Sequence, residues 1–421
     1  MKRLGTAIRK VPPGVAIKIL KRGFVLPAPA ARLLFKDILR PEGWHRKWIH
    51  KVKNSKGWWG CWIGENVHKL DRSAMMERVA QADIVFFHVH GGGFRIGKCN
   101  MFMDTYIHWL QYLKENYNIN AVIMSAEHRL SPEYKYPSAT EDIVHAYEHL
   151  INTLKVDPAK IIAIGGSTGA ALILEMLFIT HDPTMFEVVT DNGQQAADLP
   201  DLPRPAGAVL SSPLVTDQTT SDSWRQNTKY DYITQFTAKR IIDDYFEEPA
   251  PDTPPDTNRL LGIADLQTGY RAFLPECLMF VGNKETLRDD ALDFASKAEQ
   301  DGVPWQTFVG ENEVHDWFIV REVVKDKKML ERADTLFGDF CYRMVIEPRR
   351  NTLQLNGMLH AVPEEDEKTS VAPSSSSSSS YVTNEDEEFH ESISDNRGSS
   401  TSTTVSSLPS SKRKTSLTIY V

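Results

Sequence analysis

Apolar runs of strand length recur along the chain, each closed by glycine, serine or a polar loop. Residues 84–90 (IVFFHVH), 119–127 (INAVIMSAE), 161–165 (IIAIG), 206–212 (AGAVLSS) and 277–282 (CLMFVG) carry no polar face, the pattern of strands covered on both sides. Between them lie amphipathic segments of helical length, at 139–154, 167–181 and 287–300. Parallel strands need such crossovers, so the alternation predicts an α/β fold: a mostly parallel sheet with helices on both faces.

Two stretches break the rhythm. Residues 215–270 are polar and proline-rich around PAPDTPPDT and contain one helix-like piece, TQFTAKRIIDDYFEE. An insertion of that length between two strands predicts a cap over a site rather than a plain connection. The shorter TDNGQQAADLPDLPRP before Ala206 reads as a surface loop. From about Pro363 the chain turns serine-rich, block-charged and poor in apolar residues, which cannot bury enough surface to offset the entropy of ordering. The expected organisation is a basic N-terminal cap segment at 1–75, a catalytic domain at 76–348 with its cap insertion at about 215–270, and a disordered tail at 363–421.

Charge changes the picture at the start of the chain. The net charge is −8, yet residues 1–53 hold fourteen Lys and Arg against Asp37 and Glu42. No apolar run there matches a secretory signal, and an organellar transit peptide is opposed by few serines and by Pro12-Pro13. Two readings stay open for stretches such as GVAIKIL and ARLLF. They pack on the domain with their lysines solvated, or they lie on an anionic membrane surface. Four cysteines, Cys61, Cys99, Cys277 and Cys341, stand singly, which argues against a zinc knuckle or a disulfide framework and for reduced thiols in an intracellular protein.

The chemistry begins where strands end. His90-Gly91-Gly92-Gly93-Phe94 follows the first strong strand, and consecutive glycines let backbone N–H groups converge on a developing oxyanion. Gly165, Ser167 and Gly169 satisfy Gly-x-Ser-x-Gly between a strand and a helix rich in small residues, the setting a nucleophile elbow requires. A helix N-cap serine would fit the same spot. A serine nucleophile needs a base and an orienting acid downstream, in the order acid then histidine. For the acid, Glu285 competes with Asp289 and Asp290 in GNKETLRDD. For the base, His315 in ENEVHDWF has few rivals, since His181 ends a helix and His360 and His390 belong to the tail.

HGGGF at His90, HRLSPEYKYPSATEDI from His128, GGSTG at Gly165 and the late Glu and His together resemble the hormone-sensitive lipase family of α/β-hydrolases, from about Ile84 to Phe318. The segment NTKYDYIT around Asp231 is similar to the cap region that the family places before its acid. The resemblance implies an α/β-hydrolase fold with a helical cap built from the N-terminus and the insertion. It implies a carboxylic-ester hydrolase with catalytic Ser167, Glu285 and His315, and an oxyanion hole from the N–H groups of Gly92, Gly93 and Thr168. No metal or organic cofactor is expected. The expected partner is a small hydrophobic ester, with no nucleic acid and with membrane contact confined to the basic N-terminus.

Two departures stand out. The family usually has Asp before the serine and Ala after it, where this chain has Gly166 and Thr168. Because the oxyanion donor at Thr168 is a backbone group, its side chain is not expected to remove it. An amidase or formamidase would use the same triad. A ligand-binding protein on the scaffold, like the gibberellin receptors that lack the triad histidine, is the alternative from another class.

Overall fold

The computed structural model describes residues 11–53, 58–181, 202–247, 263–351 and 419–420. Nine strands form one sheet: β1 (Ile49–Val52), β2 (Gly60–Ile63), β3 (Ile84–Val89), β4 (Ala121–Ala126), β5 (Ile161–Gly166), β6 (Gly207–Ser211), β7 (Glu276–Gly282), β8 (Trp305–Gly310) and β9 (Ile419–Tyr420). Their order is β1-β2-β4-β3-β5-β6-β7-β8-β9. The β1–β2 and β2–β4 pairs are antiparallel and the others parallel.

Every apolar run expected to be a strand is one. Residues of β3 show why the run has no polar face: Phe86 stacks on Phe337 of one covering helix at 5.6 Å, while its neighbour Phe87 meets Tyr147 of another at 5.4 Å. Successive side chains of a strand point to opposite faces, and both faces are covered. The helices are α1 (Pro13–Val25), α2 (Ala28–Ile38), α3 (Arg72–Gln81), α4 (Met103–Tyr117), α5 (Ser138–Glu148), α6 (Thr168–His181), α7 (Asp222–Asn227), α8 (Gln235–Tyr245), α9 (Tyr270–Phe273), α10 (Arg288–Gln300) and α11 (Lys327–Cys341). The segment expected as one helix at 139–154 is α5 followed by a π turn, His149–Thr153.

Register places the chemistry. Val89 pairs with Gly165, Gly166 with Ser211, Ser211 with Phe280 and Gly282 with Gly310. The loops leaving β3, β5, β6, β7 and β8 therefore emerge side by side at one edge, where open α/β sheets gather their ligands.

Helices α1 and α2 of the basic N-terminal segment pack on the domain. In α1, Ala16, Ile17, Leu20 and Gly23 are buried, and in α2, Ala28, Ala31, Phe35 and Ile38, the 3–4 residue spacing of one helix face. Pro13 does not interrupt a helix but opens one, at a position where no intrahelical N–H is needed. The Lys21 ammonium donates to the carbonyls of Thr228 and Asp231 at 2.6 and 2.9 Å. The Arg32 guanidinium reaches Ser131 O and both oxygens of Glu133. Helices α1 and α8 meet, so the cap is built from the N-terminus and the insertion together. Among the described residues no helix is long and apolar enough to cross a membrane. Trp58 and Trp62 of GWWGCW are buried and meet edge to face at 5.7 Å. All four cysteines are buried and free.

The PAPDTPPDT stretch and nearly all of the serine-rich tail lie outside the described residues. At the chain's end, Ile419–Tyr420 from the apolar SLTIYV run pairs parallel with β8.

Candidate active site

Ser167 sits at the tip of β5 with φ +54°, in the left-handed region. A residue without β-branching held there is the strained turn expected of an elbow. The turn is fixed from both sides: Ser167 N–H donates to Ser211 O at 2.8 Å, and Ser167 O accepts from Ala170 N–H at 3.1 Å. The elbow's outer glycines are a matter of space. A Cβ on Gly165 would lie 2.7 Å from the Gly169 carbonyl, so strand and helix pass too closely for a side chain.

Gly166 has a different explanation. A Cβ there would collide with the carboxyl of Asp316, the residue after His315. The carboxyl that the resembled family carries before its serine is thus replaced, in the same space, by one arriving from the loop after β8. Asp316 N–H donates to Ser212 Oγ at 2.8 Å, and Ser212 Oγ–H in turn donates to Glu285 Oε2 at 2.6 Å. Gly282 N–H completes the grip on that oxygen at 2.9 Å.

Glu285 and His315 are both buried, on the adjacent loops after β7 and β8. Glu285 Oε1 and His315 Nδ1 are each without a hydrogen-bond partner among the described residues. No hydrogen bond joins Ser167 Oγ to the imidazole either, although Ser167 and His315 line one cleft. The structure brings the three residues to one place without closing the two contacts between them. Such contacts in unliganded sites are often long and tighten with substrate.

The rivals for the acid role are engaged elsewhere. Asp289 Oδ2 accepts from Ser223 N–H and Asp290 Oδ2 from Trp224 Nε1–H, both at 2.8 Å. These carboxyls fasten α7 of the cap to α10.

A residue that sequence reasoning placed only in the cap has a larger part. Asp231 Oδ1 accepts from the backbone N–H of His315 at 3.3 Å, and Oδ2 from Thr286 N–H at 2.7 Å. One buried carboxylate therefore ties the acid loop to the histidine loop. Its neighbour Tyr232 meets the His315 ring edge-on at 5.5 Å and stacks on Phe24 of α1 at 5.7 Å. No motif in a single sequence flags Ser212 or Asp316, and the segment around Asp231 marks only a cap region, because these contacts arise only when distant loops meet.

Burial dominates the electrostatics. It pushes the His315 imidazole down to about 3, leaving the neutral form that can accept a proton. It pushes Glu285 well above the usual carboxylate range, with Asp231 adding to the rise. Asp231 is lifted to about 6 by burial against the pull of its N–H donors, and Asp316 to about 8. An Asp raised in this way stays protonated in the folded chain where the unfolded chain, at 3.8, has released its proton. Between those values the folded state binds more protons than the unfolded one. Stability from Asp316 is therefore complete at low pH and is lost as pH rises toward 8, at about 1.4 kcal/mol per pH unit. Asp316→Asn mimics the protonated form and should flatten that slope. In calorimetry from pH 5 to 8 the wild-type Tm should fall more steeply than the variant's, and parallel curves would disprove the assignment.

The glycine loop after β3 lies against the elbow. Gly92 and Gly93 have φ of +118° and +65°, conformations open to glycine, and stand beside the elbow as expected. Thr168 Oγ1 accepts from Gly93 N–H at 3.1 Å and from Phe94 N–H at 3.4 Å. The side chain reaches back to the glycine loop because its γ-oxygen stands at the first helical position of α6. Farther along that loop, the Arg95 guanidinium pairs with Asp244 of α8 at 2.5 Å and donates to Leu26 O at 3.0 Å, bolting the loop to both parts of the cap.

The cleft above Ser167 encloses about 370 Å³ of empty space, counted to its open mouth. Its walls are mainly aliphatic, from Leu214, Ile233, Ile241, Ile242 and Leu287, with Thr216, Asp217 and Thr219 supplying polar groups. Among the described residues no group of three His, Cys, Asp or Glu is placed to hold a metal ion.

Residues 86–319 match a family model described as the alpha/beta hydrolase fold. An esterase of Acinetobacter venetianus is 30% identical over 231 residues, 54% of this chain and 66% of its own length. Lipase 2 of a Moraxella species is 25% identical over 255 residues, 57% of this chain and 55% of its own length. The chain thus spans between half and two thirds of these relatives. Among solved structures, an esterase from the bacterial hormone-sensitive lipase family superposes with a TM-score of 0.59 at 22% identity, covering 79% of this chain and 98% of that one.

Proposed function

The chain belongs to the α/β-hydrolase fold family, and from that membership and the geometry of its cleft we propose that it is a serine hydrolase of carboxylic esters. The observation that carries this reading is the meeting, in one apolar cleft, of a serine on a left-handed turn and a neutral buried histidine, with a glycine loop packed against the elbow. In the proposed reaction His315 takes the Ser167 proton as the hydroxyl attacks the ester carbonyl, and Glu285 holds the imidazole tautomer and balances its charge. The oxyanion is received by N–H groups of Gly92, Gly93 and Thr168, the imidazolium passes its proton to the leaving alcohol, and water deprotonated by His315 attacks the acyl-enzyme to free the acid and restore Ser167.

The aliphatic walls favour an apolar acyl group. An amide of similar shape would meet the same machinery, and comparing rates on matched ester and amide substrates separates the two. The test of enzyme against binding protein is labelling by a fluorophosphonate. The probe should attach to Ser167, located by peptide mass spectrometry, and an unlabelled serine in folded protein would end the proposal.

A further inference from the structure

Three N–H groups are available to receive an oxyanion at this elbow, and one is already in use. Gly93 N–H donates to Thr168 Oγ1 at 3.1 Å, in a setting where the threonine side chain is buried and lines the cleft beside Ser167. Gly93 has little freedom to turn elsewhere. Its φ of +65° fixes the loop, and a Cβ at that position would lie 2.7 Å from Ile241 Cδ1 of α8, so the cap presses directly on it. Phe94 N–H points to the same hydroxyl at 3.4 Å, which gives Oγ1 two donors from the glycine loop.

We infer that the Thr168 hydroxyl is an internal occupant of the oxyanion hole, a built-in brake that the reacting carbonyl oxygen must displace before Gly93 can stabilise it. This rests on the ester-hydrolase reading above. A hydroxyl oxygen is a weaker acceptor than an oxyanion, so the exchange favours the transition state, but only after the cost of breaking the resting contact. A carbonyl oxygen in the ground state gains little from that exchange, so the effect falls on kcat more than on KM. Alanine, the residue usual at this place in the resembled family, carries no acceptor and would leave Gly93 N–H free.

The test compares Thr168→Ala with Thr168→Ser. Both remove the threonine methyl, and only alanine also removes the acceptor oxygen. On p-nitrophenyl butyrate the alanine variant should exceed the serine variant in kcat by about tenfold, the rate equivalent of one ordinary net hydrogen bond. KM should differ less than kcat, and phosphorylation of Ser167 by diethyl p-nitrophenyl phosphate should show the same ordering. A role in packing alone would move the two variants together. An alanine variant no faster than the serine variant overturns the inference, and a slower one shows the hydroxyl to be a donor to the oxyanion instead. If wild type and both variants all fail to react with the phosphate ester, the ester-hydrolase reading falls and this inference with it. If wild type reacts and alanine gives no gain, this inference falls alone.

Discussion

Ser167→Ala is expected to lower kcat/KM for a short p-nitrophenyl ester on the order of 10⁵-fold or more, the scale on which serine hydrolases lose their nucleophile. The residual rate would come from the glycine loop and the binding cleft, which the substitution leaves in place. The loss should not come with unfolding. The turn at 167 is held by backbone bonds to Ser211 O and from Ala170 N–H, and the serine side chain makes no hydrogen bond among the described residues. Tm should therefore shift by no more than a few degrees. Turnover by the purified variant within a hundredfold of wild type would remove Ser167 from the mechanism.

Glu285→Gln should cost on the order of 10⁴-fold in kcat. The amide oxygen can still accept from Ser212 Oγ–H and Gly282 N–H, so the buried shape survives. What the substitution removes is the acceptor oxygen Oε1 and the charge that the carboxyl can take up once an imidazolium forms beside it. Oε1 is unpartnered in a site where His315 Nδ1 is also unpartnered, and a carboxylate there is the acceptor that fixes Nδ1–H and stabilises the imidazolium formed during attack. A glutamine presents an N–H₂ to Nδ1 and favours the wrong tautomer. Because burial alone holds His315 down to about 3, the imidazole is a poor base until that carboxylate engages it, which makes the predicted loss large. Single-turnover rates at saturating ester would measure it. A variant within tenfold of wild type would transfer the acid's role, with Asp316 the first carboxyl to examine, since it adjoins His315 in the chain and is buried against Gly166.

Much of this arrangement was legible before any fold was known. The unbroken apolar runs of β3, β4, β5, β6 and β7 mark strands because only a strand covered on both faces can be apolar at every position, and each appears where the pattern put it. By contrast β1 and β2 are four residues each and owe their existence to pairing with each other and with β4, an interaction that leaves little local pattern. The N-terminal helices illustrate an ambiguity that charge cannot resolve. The same lysines and arginines suit a membrane surface or a protein surface, and what ties Lys21 and Arg32 to the domain is carbonyls at Thr228, Asp231 and Ser131 that lie far along the chain.

The candidate site divides in the same way. By itself the sequence determined the cast: a serine between Gly165 and Gly169, a glycine run after His90, and Glu285 and His315 in the required order, all at strand ends, because strand periodicity and turn chemistry are local. Tertiary structure alone decided how they are held. Asp231 joins the acid and histidine loops, Ser212 grips Glu285, Asp316 fills the space above Gly166, and Thr168 takes the N–H of Gly93. Each of these joins residues tens of positions apart in the chain, and a hydrogen bond is fixed by position in space to a few tenths of an ångström. Spacing along a chain carries no such information until the sheet has set five loops side by side.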